Sequence, residues 1–275
     1  MALYDLHAHS NVSDGILSPE MLVSRAKDKG VDVLALTDHD TVAGLARARE
    51  AAAEQGLRLI DGIEFSCNWG KIGVHIVGLA VDPASAVIQQ AVGEQCRIRE
   101  LRAEKIAERL HKLGLPGALA GARALAGEAV LGRPHFAQFL VDTGAVKSLN
   151  QAFKKYLGAG KPGDVKHMWP AMETAIDWIR AAGGVAVLAH PHKYNLTRTK
   201  ICALASDFAA AGGRALEVLS GRQEPGVAED LARIARERGL YASCGSDFHM
   251  PDQPWQELGA FGTMPALCKP VWELF

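Results

Sequence analysis

Seven short apolar runs, separated by longer helical patterns, constrain the fold of this chain more than any other feature. They span residues 3–6, 31–36, 57–60, 74–79, 185–189, 216–219 and 241–243. Short apolar runs between turn signals are typical of buried strands. The first interval predicts a helix from about Pro19 to Lys29, with Ser18 as its N-cap and Gly30 as its stop. The alternation therefore predicts an α/β protein built from parallel βα units.

The alternation stops between residues 83 and 163. Apolar residues at helical spacing, among them Ile98, Leu101 and Ile106, predict a long helix there, and no run in this stretch resembles a strand. Segments with glycine and proline at 114–117 and 131–134 predict breaks into shorter helices. We therefore expect a barrel whose first part is residues 1–82, a helical cap inserted at residues 83–163, and the second part of the barrel at residues 164–275.

Composition limits the classes of function. The 275 residues are 48% hydrophobic and 22% charged, which suits one large globular domain or a domain with an insertion. A formal net charge of -1 disfavours long nucleic acid as a partner, because such binding normally needs a basic surface. The sequence shows no secretory signal and no apolar run long enough to span a bilayer, so we expect a cytoplasmic protein without a membrane partner. Its five scattered cysteines leave any metal site to histidines and carboxylates.

Six of the ten histidines lie at or near the end of a predicted strand. They are His7, His9, His39, His75, His190 and His249. In parallel α/β folds the C-terminal ends of the strands meet at one face, so residues distant in sequence converge there. His75 departs from the pattern, because it follows Val74 at the start of its run. Either its strand begins earlier, or its side chain arrives from a different direction.

Carboxylates accompany these histidines. The side chains of His7 and His9 share one side of an extended segment, because side chains in a strand alternate. Asp14, Glu64 and Asp247 lie in motifs that we expect to cap strands. Buried carboxylates are costly unless they are paired or coordinated, which favours divalent cations over the alternative of a salt-bridge network. Nitrogen and oxygen ligands without thiolate favour manganese, iron or zinc over magnesium or calcium.

Five motifs, in family order, resemble the polymerase and histidinol phosphatase (PHP) family. They are Asp5-Leu6-His7-Ala8-His9-Ser10, Thr37-Asp38-His39-Asp40, Gly62-Ile63-Glu64, Ala189-His190-Pro191 and Gly245-Ser246-Asp247-Phe248-His249. The resemblance implies the PHP fold, a distorted (β/α)7 TIM-like barrel, here with an inserted helical cap. It also implies a trinuclear metal site.

The resemblance further implies how the ligands divide among three ions. The sets are His7, His9, Glu64 and Asp247 for one ion, Glu64, His75 and His190 for a second, and Asp14, His39 and His249 for a third. The cofactor would be three Mn2+, with Fe2+ or Zn2+ as alternatives. The implied catalytic group is a metal-bound hydroxide held by Glu64, Asp247 and His190. Asp38 and Asp40 are expected to support the ligands instead of binding metal themselves.

The insertion resembles family members that hydrolyse nucleoside 3',5'-bisphosphates or short oligoribonucleotides. The similarity lies in Gly132-Arg133-Pro134-His135-Phe136-Ala137, Tyr156-Leu157-Gly158 and Lys161-Pro162. It implies that Arg133 and His135 bind phosphate, for which a guanidinium offers a planar fork of donors. The alternative is that Arg133 only begins a surface helix. In such members we expect an aromatic residue soon after Lys161, where this chain has Gly163 and Asp164.

Lys161 and His192 are further candidates for substrate binding. His192 completes a second His-x-His pattern with His190, and we expect it to serve as a phosphate donor or general acid and not as a metal ligand. His111 and His167, which lie away from the motifs, are expected to face solvent.

The sequence thus predicts a metal-dependent phosphoesterase. Its substrate would be a nucleoside 3',5'-bisphosphate, such as adenosine 3',5'-bisphosphate, and its products the nucleoside 5'-monophosphate and phosphate. The enzymatic alternative is a 5'-to-3' exoribonuclease acting on short RNA. Histidinol phosphate phosphatase is disfavoured by the insertion, and amidohydrolase activity by Glu64, where many amidohydrolases use a carboxylated lysine. A non-catalytic regulatory module that binds metal is the alternative from another class. The native metal, the preferred base and the oligomeric state stay open.

Overall fold

In the described part of the chain, seven strands form one sheet whose spatial order follows their order in the sequence. The structure is a computed structural model that describes residues 2–165 and 168–275. The strands are β1 Tyr4–Asp5, β2 Val33–Leu36, β3 Arg58–Trp69, β4 Ile72–Leu79, β5 Val185–Leu188, β6 Ala215–Ser220 and β7 Tyr241–Gly245. All seven predicted strands are confirmed. Most are within two residues of their expected bounds, whereas β3 extends nine residues beyond its apolar run.

The sheet curves until its last strand lies beside its first. The backbone N–H of Leu6 donates to the carbonyl oxygen of Cys244 at 3.0 Å, and Ala8 forms a parallel bridge with Phe248. Close approach here depends on Gly245, because a Cβ at that position would lie 2.4 Å from Cβ of His7. The expected distorted seven-stranded barrel is therefore confirmed.

One strand runs against the others. β4 pairs antiparallel with both β3 and β5, so the expectation of parallel units throughout is wrong at this point. The cause is the two-residue turn at Gly70 and Lys71, in which Gly70 adopts a φ of 57°. A turn this short joins antiparallel strands, whereas parallel strands need a crossover of a dozen or more residues. The N-terminal end of β4 consequently lies at the same edge as the C-terminal ends of β3 and β5.

Helices follow most strands, and a run of helices separates β4 from β5. The described helices are α1 Pro19–Asp28, α2 Leu45–Gln55, α3 Ala86–His111, α4 Ala118–Ala126, α5 Arg133–Asp142, α6 Leu149–Ala152, α7 Met172–Ala181, α8 Arg198–Ala210 and α9 Val227–Glu237. A π-helical turn continues α6 over Phe153–Leu157. The long helix expected after residue 83 is α3, and the breaks expected near residues 114 and 131 fall before α4 and α5.

The helical insertion has an apolar core of its own. Ile106, Leu110, Phe136 and Leu140 are buried in it, and the cluster continues past residue 163 to Val165. Within the described residues, no helix is both long and apolar enough to cross a membrane. His111 is exposed, as expected, whereas His167 lies outside the described residues.

Candidate metal centre and substrate cleft

The structure brings all nine predicted ligands together at one end of the barrel. The side chains are those of His7, His9, Asp14, His39, Glu64, His75, His190, Asp247 and His249. Seven of them follow the ends of β1, β2, β5 and β7, where the sequence placed them. The remaining two, Glu64 and His75, reach the cluster from the hairpin of β3 and β4.

Glu64 does not cap a strand, so that expectation is wrong. It lies inside β3, opposite Val77 of β4. β3 pairs with β2 only as far as Asp61 and then continues alone with β4, which carries Glu64 beyond the end of β2 to the C-terminal edge. His75 arrives there because β4 runs antiparallel and begins at Ile72, which resolves its unusual position in the sequence.

Four donor atoms at the centre of the cluster have nearly equal separations. Nε2 of His7 lies 3.1 Å from Nε2 of His9. Oε2 of Glu64 lies 3.3 Å from each of these nitrogens, and Oδ1 of Asp247 lies 3.6 and 3.4 Å from them. Ligand atoms about 2.1 Å from one ion in tetrahedral geometry are about 3.4 Å apart. The spacing therefore suits a single divalent ion.

Glu64 also connects this group to its neighbours. Its Oε1 lies 3.0 Å from Nδ1 of His75 and 3.1 Å from Nε2 of His190, and its Oε2 lies 2.9 Å from Nδ1 of His39. This geometry suits a carboxylate that bridges ions. It also differs in detail from the expected sets, because donor atoms of His39 group with Glu64 and His75 as well as with Asp14.

The third group surrounds Asp14. Oδ1 of Asp14 lies 3.3 Å from Nε2 of His249, and Oδ2 lies 3.7 Å from Nε2 of His39. His9 approaches the same carboxylate through its Nδ1, at 4.0 Å, so its two ring nitrogens face two different groups. Gly15 makes this turn possible, because a Cβ there would lie 2.4 Å from the carbonyl oxygen of His9.

Among the described residues, several buried donor and acceptor atoms in the cluster lack a well-aligned hydrogen bond, even where an atom of opposite charge lies close. They are Nδ1 of His9, Oδ1 of Asp14, Nδ1 of His39, Oε2 of Glu64 and Nδ1 of His190. A buried polar atom left unpaired costs free energy, and a buried ionised carboxylate costs more. Nitrogen and carboxylate oxygen donors at these spacings are what divalent transition metals accept. The residues present therefore fit a metal centre.

Two stacked imidazoles have pKa values shifted in opposite directions. They are those of His9 and His249, whose ring centroids are 4.3 Å apart. The pKa of His9 is lowered to about 3, chiefly by burial and then by the positive charge of His249. Burial also opposes protonation of His249, but the adjacent Asp14 carboxylate outweighs it and raises that pKa to about 10. Without a metal, the cluster therefore holds a mixture of charged and neutral imidazoles.

Backbone conformation is unusual at three points around the cluster. Asp40, His190 and Asp247 have φ values of 55°, 27° and 55°, in the region that favours glycine. Such conformations cost of order 1–3 kcal/mol each and persist only where surrounding contacts impose them. Asp40 shows one such set of contacts, since its N–H donates to the carbonyl oxygen of Glu64 and its carboxylate accepts from the N–H of Ser66.

Asp38 and Asp40 contact neighbouring loops and helices. Asp38 accepts hydrogen bonds from the hydroxyls of Ser10 and Ser13, both at 2.6 Å, and so fixes the turn between His9 and Asp14. Asp40 accepts from Nε of Arg99 at 2.7 Å, which joins the barrel to α3.

Sequence reasoning missed two residues beside the cluster. Glu217 is a carboxylate on β6, 2% exposed, that accepts from the N–H of His190 at 2.6 Å and faces Nδ1 of His7 at 3.2 Å. Lys193 lies 2.6 Å from Oδ2 of Asp247. The available signal for Glu217 was a lone charged residue inside an apolar strand, which requires a buried partner.

A cleft opens from the cluster toward the helical insertion. It has two adjoining cavities of about 190 and 280 Å³, and both are lined by His75, Arg102, Arg133 and Trp169. Arg133 does begin a helix, α5, yet it also lines this cleft, and its Nη1 donates to the carbonyl oxygen of Leu157 at 3.2 Å. An aromatic residue is therefore present in the cleft, at Trp169.

The other predicted substrate residues occupy different positions. Nδ1 of His135 accepts from the N–H of Gly132 at 3.0 Å, which leaves Nε2 to carry the proton in the neutral ring. His192 lies near Gln223, and burial, together with the charge of Lys193, lowers its pKa to about 4. Lys161 is exposed and is not among the residues that line the two cavities.

Comparison with known proteins identifies the family. The profile of the PHP domain matches residues 5–116. A 3',5'-nucleoside bisphosphate phosphatase from Chromobacterium violaceum is 44% identical over 273 residues, covering 99% of this chain and 96% of that protein. The chain belongs to the PHP family. Its membership rests on similarity along the whole chain, well beyond the residues that the domain profile matches.

Other PHP proteins are comparably similar. The 5'-3' exoribonuclease Rnm from Escherichia coli is 46% identical over 275 residues, covering 99% of this chain and 94% of that protein. A solved structure from Chromobacterium violaceum, described as an amidohydrolase with bound sulfate and no metal, has a TM-score of 0.91 at 44% identity, with 99% of this chain and 96% of that chain covered. This PHP chain is thus a hydrolase of the metal-dependent phosphoesterase class.

Proposed function

We propose that this PHP-family enzyme removes the 3'-phosphate from nucleoside 3',5'-bisphosphates. The observation that carries the proposal is the position of Arg133, which lines a cleft continuous with the nine-residue cluster. A metal centre accounts for the hydrolysis of phosphate esters in general. The guanidinium of Arg133 beside it adds a second group that can contact phosphate in the same site. The name of the Chromobacterium violaceum relative agrees with this substrate class.

The nine clustered side chains would hold three ions, and we keep Mn2+ as the expected metal, with Fe2+ or Zn2+ as alternatives. Residues 83–163 would form the cap that closes the site. Divalent ions supply Lewis acidity toward a phosphate ester and an acidified water for attack on phosphorus. From the centre of the cluster, Glu64, Asp247 and His190 would orient the water that attacks phosphorus.

Residues of this chain position the reacting group. Arg133 would bind two oxygens of the 3'-phosphate through its planar fork and stabilise negative charge that develops during attack. His135 would donate from Nε2, because its Nδ1 is already an acceptor for Gly132. His192 and Lys161 stay candidates for contacts at the edge of the site.

A 5'-to-3' exoribonuclease is the second candidate, because relatives with that name are as similar as the phosphatase. Both activities would break the same bond, between phosphorus and the 3'-oxygen, with water supplying the new oxygen on phosphorus. In the bisphosphate, free phosphate leaves. In an oligoribonucleotide, the phosphate stays on the 5'-oxygen of the next nucleotide.

Metal analysis and product assays on the purified chain test the proposal. We expect bound divalent metal and release of phosphate from adenosine 3',5'-bisphosphate in the presence of Mn2+. Turnover of the bisphosphate without shortening of a 5'-phosphorylated oligoribonucleotide would eliminate the exoribonuclease. A metal-free and inactive protein with all nine ligands intact would instead favour a non-catalytic module and refute the proposal.

Replacing Arg133 separates substrate binding from metal binding. Because Arg133 contacts no predicted ligand, Arg133→Ala should lower kcat/KM by about 10- to 100-fold, the cost of a lost charged hydrogen bond. Metal content, measured by elemental analysis, should not change. Arg123→Ala is the matched control, since Arg123 is exposed on α4 and pairs with Glu100 outside the cleft. Loss of metal in Arg133→Ala would place this residue in the metal centre.

A further inference from the structure

Two exposed apolar side chains flank the motif that carries Asp247 and His249. Ile16 is 58% exposed and Trp255 is 52% exposed, which places them among the most exposed large apolar side chains of the described residues. Single exposed apolar residues are ordinary, whereas apolar residues grouped around a functional site mark a surface for a ligand. Neither residue is a predicted metal ligand, and neither lines the two cavities of the cleft.

Hydrogen bonds hold both residues beside the metal centre. The N–H of Ile16 donates to the carbonyl oxygen of His249 at 2.9 Å. Trp255 precedes Gln256, whose Nε2 donates to the carbonyl oxygen of Asp247 at 2.8 Å and lies 3.2 Å from its Oδ2. We call Ile16 and Trp255 the apolar rim.

Asp247 connects the apolar rim with the cleft. Lys193 lines the second cavity of the cleft and donates to Oδ2 of Asp247 at 2.6 Å. Gln256, the neighbour of Trp255 in the sequence, contacts the same oxygen. A substrate that extends from the cleft past Asp247 therefore comes next to the apolar rim.

The backbone of Trp255 is fixed against the loop that follows β6. Its carbonyl oxygen accepts from the N–H of Arg222 at 2.7 Å. Gly221 allows this approach, because it has a φ of 55° and a Cβ there would lie 2.5 Å from the same carbonyl oxygen. An aromatic side chain on a fixed backbone loses little conformational freedom when a ligand stacks on it.

The loops around Trp255 have no excess of positive charge. Residues 221–226 and 250–256 contain one cation, Arg222, and two anions, Glu224 and Asp252. Binding along a phosphate chain needs cations, whereas nucleobases stack on exposed aromatic rings without them. The composition of this surface therefore favours a base over a chain of phosphates.

We propose that Trp255, together with Ile16, binds the nucleobase that follows the scissile phosphate in a 5'-phosphorylated oligoribonucleotide. This inference rests on the proposed function, in particular on the exoribonuclease candidate. With the terminal nucleoside in the cleft and its 3'-phosphorus at the metal centre, the next nucleotide extends past Asp247 to the apolar rim. A nucleoside bisphosphate ends before this surface, so the apolar rim selects for RNA alone.

The apolar rim adds binding energy without changing the chemistry. Water adds to phosphorus, the bond from phosphorus to the 3'-oxygen of the terminal nucleotide breaks, and that oxygen takes up a proton. The phosphate stays on the 5'-oxygen of the nucleotide at the apolar rim, which becomes the new 5' end. This nucleotide must then move from the apolar rim into the cleft before the next cleavage.

The first test compares three substrates that share one scissile bond. They are adenosine 3',5'-bisphosphate, its 3'-methyl ester and the 5'-phosphorylated dinucleotide of two adenosines, all with Mn2+. Only the dinucleotide carries a second base, so we expect its KM to be about 5- to 100-fold lower than that of the methyl ester, the range that stacking of one base provides.

The outcomes of this comparison separate the inference from the proposed function. Equal KM for the dinucleotide and the methyl ester, or hydrolysis of the bisphosphate alone, would overturn the inference and leave the proposed phosphatase intact. Hydrolysis of none of the three substrates would reject the proposed function itself.

The second test uses Trp255→Ala, with Leu113→Ala as the control, because Leu113 is 50% exposed and lines neither cavity of the cleft. Trp255→Ala should raise KM for the dinucleotide to the value for the methyl ester, without changing kcat/KM for the bisphosphate or the metal content. Trp255→Phe keeps an aromatic ring and should retain most of the preference. Leu113→Ala should change none of these quantities.

Thermal melting establishes that each variant is folded. An equal loss on all three substrates in folded Trp255→Ala would mean that Trp255 only supports the loop that carries Asp247, and would refute the assignment. An unchanged KM for the dinucleotide would refute it as well.

Salt dependence distinguishes stacking from contact with phosphate. Because stacking is not ionic, the ratio of the two KM values, methyl ester to dinucleotide, should change little between about 50 and 200 mM salt. A steep fall of this ratio with salt would show that the second nucleotide is held through its charge and would overturn the role of Trp255.

Light scattering tests whether the apolar rim joins two copies of the chain instead. We expect the same molecular mass for the unmodified protein and for Trp255→Ala. A dimer that becomes a monomer in Trp255→Ala, with unchanged KM for the dinucleotide, would make the apolar rim a contact between copies and refute its role in RNA binding.

Discussion

At the scale of single residues, one carboxylate outside the predicted ligand set contacts two of the predicted ligands. Glu217 faces Nδ1 of His7 at 3.2 Å, while Nε2 of His7 faces the central group of donors. A carboxylate on the far nitrogen of a ligating imidazole fixes its tautomer and orientation and raises its basicity. Glu217 also accepts from the N–H of His190, so it positions residues from two strands.

Glu217→Gln tests this role, because glutamine keeps the shape of the side chain and removes its charge. We expect metal affinity to fall by about 10- to 100-fold, the usual cost of losing such a partner. Equilibrium dialysis followed by elemental analysis measures the change. Glu229→Gln, on the exposed face of α9, is the control. If a stable Glu217→Gln protein bound metal with unchanged affinity, Glu217 would contribute only to packing and not to metal binding.

Seven of the nine predicted ligands could be found individually, because each lies in a short polar motif after the end of a strand, whereas Glu64 and His75 lie inside β3 and β4. The contacts of three other residues at the site could not be predicted in this way, namely those of Glu217, Arg102 and Trp169. Glu217 meets His7 across 210 positions in the sequence, and Arg102 meets the carbonyl of Val165 across 63. No local pattern encodes such pairs, since their partners become neighbours only after the barrel has closed and the insertion has packed against it.

At the scale of elements, close contacts between neighbouring strands position the predicted ligands. β1 and β7 approach so closely at Gly245 that a Cβ would lie 2.4 Å from Cβ and 2.8 Å from the backbone nitrogen of His7. The atoms that occupy this space are the backbone and Cβ of His7, a predicted metal ligand, so no flexible end of a side chain can move aside. The closure of the barrel and the position of His7 therefore depend on the same glycine.

Gly245→Ala should consequently affect stability and metal binding together. We expect the free energy of unfolding to fall by about 1–3 kcal/mol, as in other overpacked cores, and metal affinity to fall with it. Urea denaturation and metal titration measure the two effects. Gly93→Ala, in α3, is the control, because no atom lies within 4 Å of its new Cβ and alanine favours a helix. If Gly245→Ala left both the free energy of unfolding and the metal affinity unchanged, the close approach of β1 and β7 would be contradicted.

The apolar runs in the sequence predicted that each strand exists. They did not predict how long each strand is or in which direction it runs. β3 continues through polar residues such as Glu64 and Asn68 because β4 pairs with it along eight positions. Pairing with a neighbour outweighs the intrinsic preference of each residue for a strand. The antiparallel turn at Gly70 was the missed local signal, and it alone would have placed His75 at the correct edge.

At the scale of the whole molecule, the site forms where the barrel meets the helical insertion. The barrel supplies the predicted metal ligands, and α3 and α5 supply the cleft residues Arg102 and Arg133. Asp40 joins the two parts, since its carboxylate accepts from Gln95 and Arg99 of α3. The sequence predicted both parts, but the shape of the cleft depends on their packing, which no single segment specifies.

Metal binding should stabilise the folded chain as a whole, because the nine predicted ligand side chains come from distant parts of the sequence and assemble only in the folded state. A ligand at 100 times its Kd adds about 2.7 kcal/mol to the free energy of unfolding, which raises Tm by roughly 5 to 10 °C in a protein of this size. We expect chelation to lower Tm by that amount and added Mn2+ to restore it, as measured by calorimetry. Glu64→Gln should lose most of this response, because Glu64 contacts donors of all three groups. Identical melting with and without metal would show that the cluster does not bind divalent ions in the folded protein.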